Sequence, residues 1–247
     1  MRALALLALL LGGPAAAQEI TGAELAEPTD KYGHGILGDG GEWDVLNITV
    51  GRSTGDGTGL FTGSSKLTYA FDSDENLLWE DVGAKLWDTT GDGKPEVVVV
   101  QSHMRLGARL MVLALTDGKP AYWGATPFIG TAHRWLAPLG AADLDGDGQI
   151  EIAYIDRPHL AKTLRIWRHN GGDLVEVASK SGLTTHKIGW DFIAGGLRTC
   201  GGKPEMITAN GDWSRVVAST LVEGRIESRD LGPYEGPKSL SPKRPCD

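Results

Sequence analysis

The chain has 247 residues, 35 of them glycine and eight tryptophan, with 24 Lys and Arg against 32 Asp and Glu for a net charge of −8. That balance argues against nucleic acid as a partner, because phosphate binding rests on clustered Lys and Arg. Two cysteines cannot make a disulfide framework, so the domain must rest mainly on its own core.

The N-terminus reads as a secretory signal. Arg2 is its positive end, residues 3–11 are an unbroken apolar run, and Ala15-Ala16-Ala17 offers a cleavage site before Gln18. Nine apolar residues do not cross a hydrocarbon core that needs about 20. No cysteine stands at the cleavage point to carry a lipid, and no later stretch is apolar enough to span a membrane. A periplasmic or secreted protein of 230 residues is expected, cut after Ala17. Only Arg2 is lost among the charges, which leaves 23 bases against 32 acids and a net charge of −9.

Beyond the signal the chain repeats. Glu42, Glu96, Glu151 and Glu205 each close a glycine-containing segment, at intervals of 54, 55 and 54 residues. A period of that length marks a repeated supersecondary unit. The first unit carries Gly38-Asp39-Gly40-Gly-Glu42 and β-rich runs at 43–50, 66–71 and 77–79. Residues 51–65, rich in Gly, Ser and Thr, read as a surface loop in which Asp56 has no later acid at the offset a metal loop needs. The second unit runs through 85–87, an acidic loop at 88–96, then 97–100, 110–115, the turn Asp117-Gly118 and 120–123. The third follows the same order with a loop at 143–151, a run to Ile155, alternation at 163–167, the turn Asn170-Gly-Gly172 and a last strand at 174–177. The fourth gives 190–197, Gly201-Gly-Lys203-Pro-Glu205, 206–209, 216–221, a turn at Gly224 and 226–229. Residues 233–247 are a Pro-rich tail laid over the domain. Four strands in about 50 residues is the content of one propeller blade. The expected fold is therefore all-β, a β-propeller of about four repeats of some 54 residues over 18–232. It closes as four blades or stands as an open array; the sequence leaves the blade number open.

The loop Asp143-Leu-Asp145-Gly-Asp147-Gly-Gln149-Ile-Glu151 has the donor pattern of a calcium site. Calcium takes six to eight oxygens. Asp143, Asp145 and Asp147 at positions 1, 3 and 5 supply alternate carboxylates, Gln149 at position 7 its main-chain carbonyl, and Glu151 at position 9 a further carboxylate. Gly146 and Gly148 permit the curl. An EF-hand is rejected, since its position 12 must be a bidentate Glu and here it is Tyr154, inside a β-branched and aromatic run. The second loop repeats the set with Asp88, Thr90, Asp92, Lys94 through its main chain, and Glu96. It has one carboxylate fewer and is expected to bind more weakly. The first and fourth copies lack the acids and are not expected to bind Ca2+.

An acid at position 9 followed directly by a strand resembles the FG-GAP or VCBS repeat, the blade type of integrin α-subunit propellers. The resemblance is specific at residues 143–151 and extends over most of the mature chain by its period. It implies a β-propeller with calcium between the first two strands of a blade. The family's Phe-Gly and Gly-Ala-Pro landmarks are matched only loosely, by Phe128-Ile-Gly130 and Ala137-Pro-Leu-Gly140.

Other residues carry less. Cys200 and Cys246 are expected to pair in an oxidising compartment. Cys200 falls at position 4 of the degenerate fourth loop, so a bridge would staple the tail there, worth roughly 3–4 kcal/mol in a chain-entropy account. His133 and His186 precede Trp135 and Trp190 at matching places in their units, and are expected to pack between blades. Trp43, Trp87, Trp135 and Trp190 are expected to do the same. Asp39, Glu42 and Asp44 read as turn acids. No G-x-S-x-G, HExxH or phosphate loop is present, so no catalytic residue is assigned. Two functions compete: a non-enzymatic binding module for a protein or glycan ligand, and a polysaccharide hydrolase or lyase with its site at the propeller funnel. His133, His186 and a carboxylate within hydrogen-bond reach in one cleft would favour the second.

Overall fold

The computed structural model describes residues 18–38, 40–52 and 66–246. The signal segment 1–17, Asp39, most of the Gly-rich insertion with Asp56, and Asp247 lie outside the described residues. Among those described, no helix is long and apolar enough to cross a membrane. The described residues are all-β, with antiparallel pairing among their strands and a 3₁₀ turn at Pro237–Leu240.

Two of the three sheets show the repeat directly. One is the meander β9 (Leu136–Ala142), β10 (Glu151–Asp156), β11 (Thr163–His169) and β12 (Leu174–Ser181). Another runs β14 (Gly196–Cys200), β15 (Lys203–Asn210), β16 (Arg215–Val222) and β17 (Arg225–Pro233), with the short β13 (Leu183–Thr184) beside the far end of β15. The eight-stranded sheet joins two units. Its second half is β5 (Lys85–Trp87), β6 (Glu96–His103), β7 (Gly107–Thr116) and β8 (Lys119–Ala125). Its first half is β1 (Gln18–Pro28), β2 (Glu42–Arg52) and β3 (Leu67–Asp72). The strand β4 (Leu77–Glu80) links the halves, setting Trp79 opposite Trp43 of β2 and Gln101 of β6.

The first strand of each later unit is interrupted at one place. β4 and β5 both pair with β6, leaving 81–84 between them. The buried Asp81 carboxylate fills the gap, its Oδ2 accepting the Val100 N–H at 3.0 Å while its other oxygen pairs with Lys85. In the next unit the break is a bulge at Leu139, between the pairs Pro138–Tyr154 and Gly140–Ala153. In the last, β13 and β14 both pair with β15, and residues 185–195 leave the sheet and return, with Ala194 N–H donating to Thr185 O at 2.9 Å. This replaces the expected strand at 190–197, of which only residues from Gly196 onward are strand. Gly195, at φ 91°, closes the excursion where a Cβ would lie 2.3 Å from Ile207 O.

Two further expectations change. Residues 77–79 form a strand, but one that starts the second unit instead of ending the first. The strand β1 is absent from the sequence reading because its sequence has no clean alternation; of its eleven residues only Ile20 is buried. Nine register positions on β2 make it a strand.

The core explains the long apolar runs. Successive side chains on a strand point to opposite faces. Val97 and Val99 enter one cluster with Ile20, Leu46, Ile48 and Trp79, and Val98 and Val100 enter another with Trp135, Leu136 and Ile155. β6 is buried on both faces, which is why it reads as unbroken valine. Met206 and Ile207 divide in the same way on β15. After Pro233 the tail returns over the last sheet. Leu240 is buried in its cluster, and Cys246 is joined to Cys200 with their Cα atoms 5.6 Å apart.

Candidate metal centre

The two acidic loops have one backbone. In the 143–151 loop, Asp143 Oδ1 accepts Gly146 N–H at 2.7 Å and Oδ2 accepts Gly148 N–H at 3.0 Å. In the 88–96 loop, Asp88 accepts Gly91 N–H at 2.6 Å and Gly93 N–H at 2.9 Å. The four glycines have φ of 81–86°, the left-handed region that favours glycine. Asp147 Oδ1 takes Gln149 N–H and Asp92 Oδ1 takes Lys94 N–H, both at 2.8 Å. Position 1 thus organises the curl and position 5 its exit.

The closing glutamates anchor their loops. Glu151 is fully buried and accepts Leu144 N–H at 2.8 Å. Glu96 accepts Thr89 N–H at 2.7 Å and its hydroxyl at 2.8 Å. Glu42 holds the amides of Gly33 and His34 at 3.0 and 2.6 Å. Glu205 has no loop to hold: Gly201 and Gly202, at φ 57° and 80°, make a two-residue hairpin turn, and Glu205 pairs with Arg198 and Arg229. The repeated glutamate therefore anchors a loop in the first three units, in addition to any ligand role, and in the fourth is held by arginines. Burial pushes the carboxyls of Glu96 and Glu151 above their usual range, whereas the Gln149 amide holds Asp147 below its own.

Of the residues read as ligands, Asp143, Asp145 and Glu151 come together, with one oxygen from each within 4.8 Å of the others. Asp147 stands outside that group. Gln149 is fixed by its side-chain amide to Asp147 Oδ2 at 3.1 Å, which leaves its carbonyl free of the side chain's geometry. Asp88, Asp92 and Glu96 form no such trio among the described residues.

The sequence reading missed Arg168. It stands opposite Glu151 in the register of β10 and β11. Its guanidinium reaches Asp145 Oδ2 at 2.9 Å, Asp147 Oδ2 at 3.0 Å and Glu151 Oε1 at 2.6 Å. In the second unit the register of Val97 with Leu113 puts Ala114 opposite Glu96. A cavity of about 370 Å³, lined by Thr90, Asp92, Glu96 and Ala114, opens where an arginine would reach.

The histidines and tryptophans are placed as follows. Trp135 is buried, its Nε1–H donating to Glu80 O at 2.8 Å. His186 is fully buried and its Nε2 bonds Trp190 O; His133 borders a cavity and its Nε2 bonds Tyr32 O. Neither shares a carboxylate with the other. Asp44 is paired with Lys31 at 2.5 Å and is not part of a carboxylate pair with Glu42.

Residues 88–154 match the family described as FG-GAP-like repeat. The matched stretch, 67 of the 247 residues, is similar to an FG-GAP-like repeat. It begins at the first ligand position of one loop, ends three residues past the closing glutamate of the next, and so spans one period and both loops. No curated protein matches the chain.

Proposed function

We propose that this FG-GAP-like protein is an exported, calcium-stabilised β-propeller that acts as a non-enzymatic interaction module for a protein or glycan ligand. The reading rests on the paired loops: one backbone built twice, 55 residues apart, with hard oxygen donors converging in one of them. Asp143, Asp145, Asp147 and Glu151, with the Gln149 carbonyl, would hold Ca2+ in the third unit. Asp88, Thr90, Asp92 and Glu96, with the Lys94 carbonyl, would do so in the second. The ion would supply positive charge to a carboxylate set that Arg168 only partly neutralises, and would cross-link the first two strands of the blade. Closure into four blades is supported by Gly189 N–H donating to Ile36 O at 2.9 Å, a contact between the last unit and the first. The bridge between Cys200 and Cys246 accords with an oxidising compartment.

The test is capture from the envelope fraction of the exporting cell, in calcium and in chelator, alongside thermal melts in the same buffers. Calcium-dependent capture, lost with Asp145→Ala, is the expected result. Equal melting temperatures in calcium and chelator would overturn the calcium reading, and turnover of a polysaccharide by the purified protein would overturn the non-enzymatic one.

A further inference from the structure

A cavity of about 200 Å³ shares no residue with the acidic loops. Its lining comes from the connection between β1 and β2, the segment before β9, the loop after β10, and the excursion between β13 and β14. Most of that lining is apolar. Ile36, Trp135 and Pro158 are its buried members, while Leu160 and Ile188, 63% and 68% exposed, are its most open ones. An apolar wall with a few oriented polar groups is the usual make-up of a small-molecule site.

The polar groups are imidazoles, and their hydrogen bonds fix the tautomers. His186, behind the lining, has Nε2 2.8 Å from Trp190 O and must carry the proton there, because a carbonyl only accepts. Its Nδ1 is then an acceptor, so His159 Nε2, 2.9 Å away, donates to it, and His159 Nδ1 keeps its lone pair. His133 Nε2 donates to Tyr32 O at 3.0 Å, which makes its Nδ1 an acceptor too. Neither Nδ1 has a partner among the described residues, and that of part-buried His159 is not sealed from solvent. The third lining imidazole, His34, is fixed through Nδ1 to Glu80 Oε1 at 2.5 Å. Burial, with the neighbouring His186, lowers the His159 pKa to about 4, so its ring is neutral at physiological pH. A hydrogen-bond chain ending on a carbonyl polarises the imidazole at its head and makes Nδ1 the stronger acceptor.

The remaining polar groups narrow the choice of ligand. Both lining guanidiniums are engaged, Arg157 with Asp156 through bonds of 2.8 and 2.9 Å and Arg134 with His133 O at 2.7 Å. No carboxylate lines the cavity to pair with a cation, and an anion would face imidazole lone pairs. A neutral hydrogen-bond donor is what the walls leave unmet. Size sets the rest. An apolar cavity of about 150 Å³ holds one benzene, so this one takes a single aromatic ring with a small substituent. Indole and imidazole walls favour an aromatic guest through edge and face contacts.

We propose that this cavity binds a free, neutral phenol, its ring against Ile36, Trp135 and Pro158 and its hydroxyl donating to His159 Nδ1. The hydroxyl is the discriminating group, because a ring without it would exclude water from Nδ1 and leave that acceptor unsatisfied. The site depends neither on the calcium loops nor on a macromolecular ligand.

Isothermal titration of the purified protein with p-cresol, toluene and benzylammonium, in saturating calcium, tests the proposal. p-Cresol should bind at one site per chain, toluene about tenfold more weakly for want of one hydrogen bond, and benzylammonium more weakly still. His159→Phe should bring p-cresol down to the affinity of toluene, and Asp145→Asn should change neither. No saturable p-cresol binding, equal affinity for p-cresol and toluene, or a p-cresol preference that survives His159→Phe would overturn the site. N-acetyltyrosinamide should bind no more tightly than p-cresol; tighter binding would overturn the free-ligand assignment in favour of a tyrosine side chain on a protein. Should His159→Phe fail to fold, spectra of the wild type still decide. p-Cresol should shift the His159 Nδ1 resonance and give nuclear Overhauser contacts to the methyl groups of Leu160 and Ile188. Contacts confined to other parts of the molecule would refute the assignment.

Discussion

The loops at 88–96 and 143–151 share a backbone and differ in what faces them. Both are curled by a position-1 aspartate that takes two glycine amides, and both are anchored by a buried or nearly buried glutamate. Across the sheet the third unit has Arg168, touching three loop acids, where the second has Ala114 and an open cavity. Loop shape is therefore set by amide bonds within the loop, and charge neutralisation by a residue on a neighbouring strand. A calcium ion entering the third loop would have to displace a guanidinium that the second loop lacks. The extra carboxylate at Asp145 and the competing Arg168 act in opposite directions on affinity.

The largest expected effect separates the two anchors. Glu151→Ala removes the acceptor of Leu144 N–H and the buried one of the three carboxylates that hold Arg168, and is expected to cost about 2–4 kcal/mol in urea unfolding. Glu96→Ala loses the bonds from Thr89 and leaves no guanidinium behind, so about 1–2 kcal/mol is expected. Equal losses would break the claim that the third loop depends on its arginine.

Calcium is expected to come next. An ion bound only by the folded protein stabilises it by about 2.7 kcal/mol at 100 times its Kd. Thermal melts in calcium and in chelator should show most of that gain vanish in Asp145→Ala and a smaller part in Asp92→Ala. The reverse order would mean that the open second loop is the principal site.

Arg168→Gln sharpens the contrast further. In chelator the variant should lose about 1 kcal/mol, since three acids lose their counter-charge at a partly exposed site. In a calcium titration followed by melting, half-saturation should fall about fivefold, equivalent to roughly 1 kcal/mol. An unchanged midpoint would show that the guanidinium does not compete.

The smallest effect belongs to Thr90→Asp, which restores the missing carboxylate in the loop that has no arginine. It should raise the calcium-dependent gain by a few tenths of a kcal/mol to about 1 kcal/mol, read from the same melts. No added gain would indicate that the second loop takes no ion.

Much of the scaffold is local information and was legible in the chain. The four glutamates at a constant period, the Gly-Asp-Gly turns and the valine run of β6 each reflect a rule acting within a few residues: turn φ angles, the two-residue period of a strand, burial on both faces. The convergence of Asp143, Asp145 and Glu151 followed from loop spacing for the same reason. What tertiary structure alone decided depends on register and on units meeting. Arg168 faces Glu151 only because β11 pairs with β10 in one register, and Asp81 caps a break that no local pattern announces. β1 is a strand because β2 lies beside it. His34, His133 and His159 lie more than 120 residues apart from first to last and share no motif; they line one cavity only because separate units pack around it.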